Sequence, residues 1–489
     1  MTETAKKKRG MPSSFTILLA LLAIVAVITV IVSGTSGGEV TAARLSDFCT
    51  APVKGFADAL PVCLFVMILG GFLGMMTETG ALDNGIAVLV QKLKGNEIML
   101  VPVLMLIFSL GGTTYGMCEE TVPFYALLAA TMMAAGFDPM VGAATVLLGA
   151  GCGCLGSTVN PFAVGAAVDA LTGVGIEVNQ SIIIGLGAVL WIVTTAMSIV
   201  FVMSYAKKVK ADKGSTILSM QELKDAEEAH GKAASEVIKL TGRQKGVLIA
   251  FAFTFVVMIV GFIPLADLNE GVANFFDAGA VYDADGNAVV QGWSALITGL
   301  PIGQWYFDEA STWFFLMAIL IGIIGGLSEK QIVNTFITGA ADMMSVVLVI
   351  ALARGISVLM ASTGLDVYVL DAAANALAGL SGVIFAPMSF LVYFGLSFLI
   401  PSPSGMATVS MPIMGPLAVK LGFSPEVMVM IFSAAIGVVN LFTPTSGAIM
   451  GGLALAKIEW TTWLKFALKL IVALSVVCAV ILTVACVML

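Results

Sequence analysis

Two adjacent carboxylates stand in an otherwise apolar part of the chain. Residues 111–123 read GGTTYGMCEETVP, so Glu119 and Glu120 follow a run of glycine and threonine. A lone carboxylate at the centre of a bilayer costs about 3 kcal/mol on insertion scales, and such residues commonly mark ion or substrate paths. Neighbouring helical residues point about 100° apart. We therefore expect only one of the two glutamates to face a binding site.

An internal ion pair or a helix start could also explain these glutamates. Arg354, in the stretch ALARG, is the candidate charge partner. Asp342 lies three helical turns before it, on roughly the same helix face. The sequence thus leaves open whether the acidic pair contacts a substrate or a buried cation.

Small polar residues interrupt three further apolar segments, at GSTVNP (156–161), PSPSG (401–405) and NLFTPTSG (440–447). Non-helical backbone at membrane depth is tolerated only where protein or a water-filled cavity surrounds it. The hydroxyl and amide side chains there could bind a polar solute, or could only cap helix ends. Besides the two glutamates, the candidate substrate-binding residues are Thr113, Thr114, Tyr115, Ser157, Thr158, Asn160, Ser402, Ser404, Asn440, Thr443, Thr445 and Ser446.

Composition sets the class of protein. Of 489 residues, 59% are hydrophobic and 11% are charged, and the mean hydropathy is +1.04. Soluble domains carry about 25% charged residues, so the sequence predicts an all-α polytopic membrane protein in contact with the lipid bilayer. The single histidine, His230, lies in a polar stretch. We therefore expect no enzyme, no metal site, no cofactor and no nucleic-acid partner.

Two apparent motifs carry no such chemistry. The stretch GCGCLG (151–156) matches a dinucleotide-binding fingerprint, but that motif requires a preceding strand in a soluble βαβ unit. The seven cysteines form no CxxC pair, and we expect no disulfide framework.

Charged loops orient the apolar spans. Lys6–Arg9 precede an apolar run at Phe15–Ser33, which could be a signal peptide but is long enough for a retained helix with a cytoplasmic N-terminus. Residues 207–245 carry nine basic residues and suit a cytoplasmic linker. Residues 265–310 carry seven acidic residues and no Lys or Arg, which favours an outside location.

Four short motifs recur in the same order in the two halves, at offsets of 283 to 289 residues. MTETG (76–80) pairs with MASTG (360–364), and GMCEETVP (116–123) pairs with GMATVSMP (405–412). GFDP (136–139) pairs with GFSP (422–425), and Asn160-Pro161 pairs with Thr443-Pro444. The charge trace gives the two copies opposite orientation in the membrane. Inverted repeats with broken helices are typical of secondary transporters that bind substrate near the bilayer midplane.

The predicted organisation has two inverted-topology repeats joined by a linker. The first repeat spans residues 1–206, with a re-entrant hairpin at 98–135 and a broken helix at 141–170. The linker spans 207–245. The second repeat spans 246–489 and carries one extra helix, a hairpin at 383–417 and a broken helix at 427–456.

The stretches GGTTYGMCEETVPFY, GAGCGCLGSTVNPFAVG, IPSPSGMATVSMPIMGPLA and TPTSGAIMG resemble the YfcC-type family of basic amino acid antiporters. That family is grouped with the anaerobic C4-dicarboxylate carriers in the ion transporter superfamily. The resemblance implies a bacterial inner-membrane carrier of the elevator type, whose transport domain slides against a dimeric scaffold. It also implies hairpin tips at Thr113–Glu120 and Ser402–Ser404, and helix breaks at Ser157–Asn160 and Asn440–Ser446.

The resemblance offers two substrate classes, and charge is the local criterion between them. The predicted tips carry two acids and no base, and carboxylates pair well with ammonium and guanidinium groups. We therefore expect an exchanger of cationic amino acids such as arginine and ornithine. The alternatives are a C4-dicarboxylate, another amino acid or a short peptide, carried with H⁺ or Na⁺. A channel is a further, less favoured reading, because a channel needs no inverted pair of closed hairpins.

Overall fold

The computed structural model of the chain describes residues 14–82, 84, 85, 88, 96–118, 121–230, 239–263, 265, 270–283, 288–400 and 402–489. Eight helices in this part of the chain are long and apolar enough to cross a membrane. The protein is therefore a multi-pass membrane protein. Glu119, Glu120, Lys92, Lys94 and the basic cluster Lys6–Arg9 lie outside the described residues.

The first half contains nine α-helices, among the residues described. They are α1 (Ser14–Ser33), α2 (Leu45–Asp58), α3 (Leu60–Glu78), α4 (Leu100–Tyr115), α5 (Val122–Ala134), α6 (Pro139–Leu155), α7 (Ala166–Thr172), α8 (Gln180–Ala211) and α9 (Met220–His230). Short turns of helix at Glu97–Met99, Pro161–Gly165 and Lys213–Ser215 adjoin α4, α7 and α8.

The second half begins with α10 (Gly242–Phe262) and α11 (Glu270–Phe276), followed by a two-stranded antiparallel pair, β1 (Val281–Tyr282) and β2 (Ala288–Val290). The remaining described helices are α12 (Phe307–Gly325), α13 (Glu329–Asp342), α14 (Met344–Thr363), α15 (Leu365–Leu377), α16 (Gly382–Leu399), α17 (Pro403–Lys420), α18 (Pro425–Val439), α19 (Gly447–Leu455) and α20 (Trp460–Met488).

The structure corrects several predicted elements. Residues 111–115 are not interrupted, because α4 continues to Tyr115 and ends on Gly116 in the left-handed region. Asp342 and Arg354 do not share one helix, because α13 ends at Asp342 and α14 begins at Met344. Helices α2 and α15 were not predicted, because each is short and polar on one face. The small β pair is a minor exception to an all-α fold.

One group of helices, here called the frame, consists of α1, α2, α3, α10, α12, α13 and α14. Within it α2 packs on α14, and α3 packs on α13 and α12. Glycines make the first two contacts backbone to backbone: a Cβ on Gly55 would lie 2.3 Å from the Gly355 nitrogen, and one on Gly339 would lie 3.0 Å from the Gly71 Cα. Gly339 lies 284 positions after Gly55, and Gly355 lies 284 positions after Gly71. The two crossings therefore use corresponding positions of the two halves.

A second group, here called the core, consists of α4–α8 and α16–α20. Helix α6 packs on α4, α5 and α8, while α18 packs on α16, α17 and α20. Helices α6 and α18 also contact each other at the centre of this group, and nearly every residue of both is buried. The two broken helices thus form the middle of the core, with one hairpin on each.

The frame meets the core along a separate apolar cluster. Its buried residues are Ala59, Cys63, Val66, Val122, Met343, Val346, Val347, Ile350 and Ala448. Helix α19 approaches α14 through small residues, since a Cβ on Gly447 would lie 3.0 Å from the Ile350 Cα. This cluster joins the two groups through apolar side chains.

The linker lies against the core at the α5–α6 loop. The Tyr205 hydroxyl and the Thr216 hydroxyl donate to Asp138 Oδ2 at 2.6 and 2.7 Å, and Asp138 Oδ1 accepts from the Val141 amide. Glu222, on α9, accepts from the Glu459 amide that precedes α20. Burial raises the pKa of the Asp138 carboxyl above its ordinary 3.8, and the three hydrogen bonds offset only part of this rise.

Asp138 should make the stability of the protein depend on pH. The native state holds this proton more tightly than the unfolded chain does, so its contribution to stability is largest below about pH 3.8. That contribution is lost as pH rises through the raised native pKa. Melting temperatures of wild type and Asp138→Asn in detergent, measured from pH 4 to pH 8, should diverge in slope. Equal slopes would show that Asp138 titrates alike in both states.

Candidate functional site

The four interrupted segments converge on one cavity of about 160 Å³. Hairpin one contributes Gly116–Cys118 and Thr121, and hairpin two contributes Ser402–Ser404. The break between α6 and α7 contributes Asn160, and the break between α18 and α19 contributes Asn440 and Thr445–Ile449. Helices α3, α12 and α14 of the frame complete the wall. The cavity therefore lies between the frame and the core.

The structure brings some of the sequence-predicted residues together here. Those that line the cavity are Asn160, Ser402, Ser404, Asn440, Thr445, Ser446 and Arg354. Thr113, Thr114, Ser157, Thr158 and Thr443 lie beside these segments but outside the lining. The Tyr115 side chain, Glu119 and Glu120 fall outside what the structure describes.

The first break is held by hydrogen bonds within the protein. The Thr113 hydroxyl donates to the Gly156 carbonyl at 2.6 Å, and the Thr158 hydroxyl donates to the Thr113 carbonyl. Asn160 Oδ1 accepts from the Phe162 and Ala163 amides, while its Nδ2 donates to the Ser157 hydroxyl. Asn160 thus caps the helical turn after the break. Its polar atoms are used inside the protein, although it borders the cavity.

The second break leaves polar atoms unused. Thr443 and Thr445 hydrogen-bond to each other at 2.7 Å. Asn440 Oδ1 is buried and accepts no hydrogen bond from the described part of the chain. Ser446 is 8% exposed and does not cap α19 with its side chain. A solute in the cavity could therefore donate to Asn440 and accept from Ser446 and the first amides of α19.

The tip of hairpin two presents another helix start. Ser402 accepts from the Gly405 amide and thereby caps α17, and its hydroxyl lies 3.5 Å from that of Ser404. Thr114, by contrast, returns its hydroxyl to the Leu110 carbonyl within α4. Among the described lining residues, hairpin two contributes the hydroxyls of Ser402 and Ser404, and hairpin one contributes Gly116–Cys118 and Thr121.

Arg354 is the single charged side chain in the lining, within the described part of the chain. Its Nε lies 2.9 Å from Asp58 Oδ2. Asp58 is the last residue of α2, and the close approach of Gly55 to Gly355 brings these two helix positions together. The suggested partner Asp342 instead lies exposed at the end of α13. The arginine is therefore paired inside the frame.

Aromatic and thiol side chains that the sequence did not single out complete the wall. Phe162 and Phe307 line the cavity with their ring centroids 5.6 Å apart, and Phe262 packs on both. Tyr125 and Cys154 also contribute. Phe162 could have been found from its place next to Asn160-Pro161, but no local signal pointed to Phe307.

The acidic pair is bracketed by lining residues. Cys118 precedes Glu119 and Thr121 follows Glu120, and both Cys118 and Thr121 line the cavity. No group of three or more His, Cys, Asp or Glu side chains that could hold a metal ion occurs among the described residues. The arrangement can hold a small polar solute between one guanidinium, two helix starts and an amide oxygen.

Two bacterial proteins have sequences similar to most of this chain. The chain is 29% identical over 442 residues to an uncharacterized protein of Haemophilus influenzae, covering 90% of this chain and 78% of that one. It is 27% identical over 437 residues to the Escherichia coli protein named "Putative basic amino acid antiporter YfcC", covering 87% and 77%.

Two solved transporter structures cover nearly the whole chain. The Alcanivorax borkumensis YdaH transporter aligns with a TM-score of 0.46 at 16% identity, over 97% of this chain and 98% of that one. Neisseria gonorrhoeae MtrF, described as an antimetabolite efflux pump, aligns with a TM-score of 0.43 at 17% identity, over 97% and 95%. The family of C4-dicarboxylate anaerobic carriers, DcuC, matches residues 38–487. With nearly its whole length matched, the chain belongs to the DcuC family of membrane carriers.

Proposed function

We propose that this secondary transporter exchanges cationic amino acids such as arginine and ornithine across the bacterial inner membrane. The cavity is the main support for this proposal. Its lining includes the Arg354 guanidinium, the starts of α17 and α19, and the residues on either side of the two glutamates in the sequence. A substrate carboxylate would meet the start of α19, and the cationic end would meet Glu119 or Glu120. The relative named as a basic amino acid antiporter supports the same class.

The proposed mechanism is an elevator built from two inverted repeats. The reciprocal glycine contacts of α2 with α14 and of α3 with α13 support the repeat, because they join corresponding positions. The apolar cluster between frame and core supports a mechanism in which the core slides against the frame. The hairpins and broken helices would move with the core. The frame would then be the dimeric scaffold, and the chain's N-terminus would be cytoplasmic.

The second candidate substrate is a C4-dicarboxylate carried with H⁺ or Na⁺. The description of the matched family favours it, and so does Arg354, the one charge in the described lining. Both candidates are small solutes that carry a carboxylate. The two candidates give the glutamates different roles. With a cationic amino acid they would bind the cationic end of the substrate, and with a dicarboxylate they would bind the coupling ion.

Counterflow tests this proposal. Proteoliposomes preloaded with ornithine should take up labelled arginine, and external succinate should not compete. Uptake that needs no internal amino acid, or that succinate blocks, would move the function to the dicarboxylate candidate. Uptake that does not saturate would instead indicate a channel.

Replacing either residue of the acidic pair with glutamine tests whether this pair binds the cationic end of the substrate. We expect Glu119→Gln or Glu120→Gln to lower arginine exchange at least ~10-fold, because loss of a charge-assisted hydrogen bond costs about 1.5–3 kcal/mol. Glu177→Gln is the matched control, since Glu177 is exposed and lies away from the lining. Normal exchange by both tip variants would remove the acidic pair from the site.

A further inference from the structure

We propose that Arg354 is the anchor for the substrate carboxylate, and that Asp58 is the residue that positions it. The inference rests on the proposed function, because it concerns how the same cavity holds its substrate. It adds a binding contact made by the frame, whereas the other polar lining residues, from Asn160 to Ser446, belong to the core.

The ion pair with Asp58 is made at Nε, on one side of the Arg354 guanidinium. Asp58 Oδ2 lies 2.9 Å from Nε, and among the described residues no hydrogen bond reaches the terminal nitrogens Nη1 and Nη2. These two nitrogens form the fork that a carboxylate can accept from in a bidentate manner. The Arg354 side chain is 27% exposed and borders the cavity. The contact at Nε thus orients Nη1 and Nη2 so that they can donate to a substrate carboxylate.

The neighbouring helix start strengthens this subsite. Gly447 packs against Ile350, and Arg354 lies one helical turn beyond Ile350 on the same face of α14. Arg354 is therefore adjacent to the beginning of α19, where Ser446 is only 8% exposed and its side chain does not cap the helix. A carboxylate between them would accept from the guanidinium on one side and from Ser446 and the α19 amides on the other.

The anchor should act in only one of the two transport states. The core carries Ser446 and α19, whereas the frame carries Arg354 and Asp58. When the core slides, the substrate keeps its core contacts and loses the guanidinium. Arg354 therefore strengthens binding on the side of the membrane reached from the conformation described here.

Ligand pairs that differ only in the carboxylate provide the test. The Tm of purified protein in detergent would be titrated with arginine, ornithine and succinate, and with argininamide and succinamide as the matching amides. We expect at least one acid to bind wild type more tightly than its amide. Arg354→Gln should weaken the acid about 30-fold or more and leave the amide unchanged, with Arg354→Lys between them. Ser357→Ala, on the same helix but outside the lining, is the matched control.

A charge swap separates anchoring from a purely structural ion pair. Asp58→Arg combined with Arg354→Asp should restore the ligand-free Tm that either single change lowers, but should not restore acid binding. Recovery of binding by the swap, equal losses for acid and amide, or no acid binding to wild type would each overturn the proposal. Failure of the proposed exchange would appear separately, as absent counterflow in a protein that still binds the acid.

A separate measurement tests whether Arg354 contacts the substrate in only one transport state. In vesicles of defined orientation, Arg354→Gln should raise KM on one side of the membrane and change it less than twofold on the other. An equal rise on both sides would contradict a contact made by the frame in a single state.

Discussion

Asn440→Leu should abolish exchange and leave the Tm within the scatter of wild type, whereas Asn160→Leu should lower the Tm. The difference follows from the hydrogen bonds that each side chain makes. Asn160 satisfies two backbone amides and the Ser157 hydroxyl, and each buried group left unpaired costs about 1–3 kcal/mol. Asn440 Oδ1 is already unpaired, so its removal costs the fold little and takes an acceptor from the cavity.

Tm in detergent and counterflow in proteoliposomes, measured on the same preparations, check this pair. Ser433→Ala is the control, because Ser433 lies in α18 with a buried, unpartnered hydroxyl outside the lining. We expect it to alter neither quantity. Wild-type exchange by Asn440→Leu would remove the second helix break from the site, and an unchanged Tm for Asn160→Leu would refute its structural role.

Gly55→Leu should give the largest loss of folded protein. A Cβ at this position would lie 2.3 Å from both the Ala351 carbonyl oxygen and the Gly355 nitrogen. Both are backbone atoms of α14, so the two helices would have to separate. We expect the free energy of unfolding to fall by an amount at or above the upper end of the ~1–3 kcal/mol that overpacking typically costs. Separation would also remove Asp58, three residues later, from Arg354.

Yield of monodisperse protein and Tm measure this effect. Gly395→Leu is the matched control, because Gly395 lies within α16 and a Cβ there would meet nothing within 4 Å. Its yield should match wild type, while that of Gly55→Leu should fall to a small fraction. Comparable yields for the two variants would mean that α2 and α14 do not approach as closely as described.

The position of each break could be read from the sequence, because glycine and proline act locally on the backbone. Helix α6 ends at Leu155 before GSTVNP, and α18 ends at Val439 before NLFTPTSG. The first predicted interruption was too early, since threonines at 113 and 114 are helical. Threonine can satisfy its hydroxyl by bonding back to the helix, as Thr114 does, so its presence does not end one.

The partner of Arg354 depended on packing between distant segments. Asp342 was a reasonable candidate as long as residues 342–354 were taken for one helix. The chain breaks at Met343, and Asp58 reaches the arginine across the Gly55–Gly355 contact. Asp342 lies 284 positions after Asp58, but the residue 284 positions before Arg354 is Gly70. Only one of the two crossings can therefore carry this ion pair.

The sequence by itself determined the class of protein and the positions of three of the interruptions, because hydropathy and helix-breaking residues act locally. The tertiary structure decided which polar atoms remain available to a solute. Asn160 and Asn440 occupy similar breaks, yet one amide is used in capping and the other is unpaired. That difference depends on neighbours brought together by folding, and a hydrogen bond forms only where donor and acceptor meet in space.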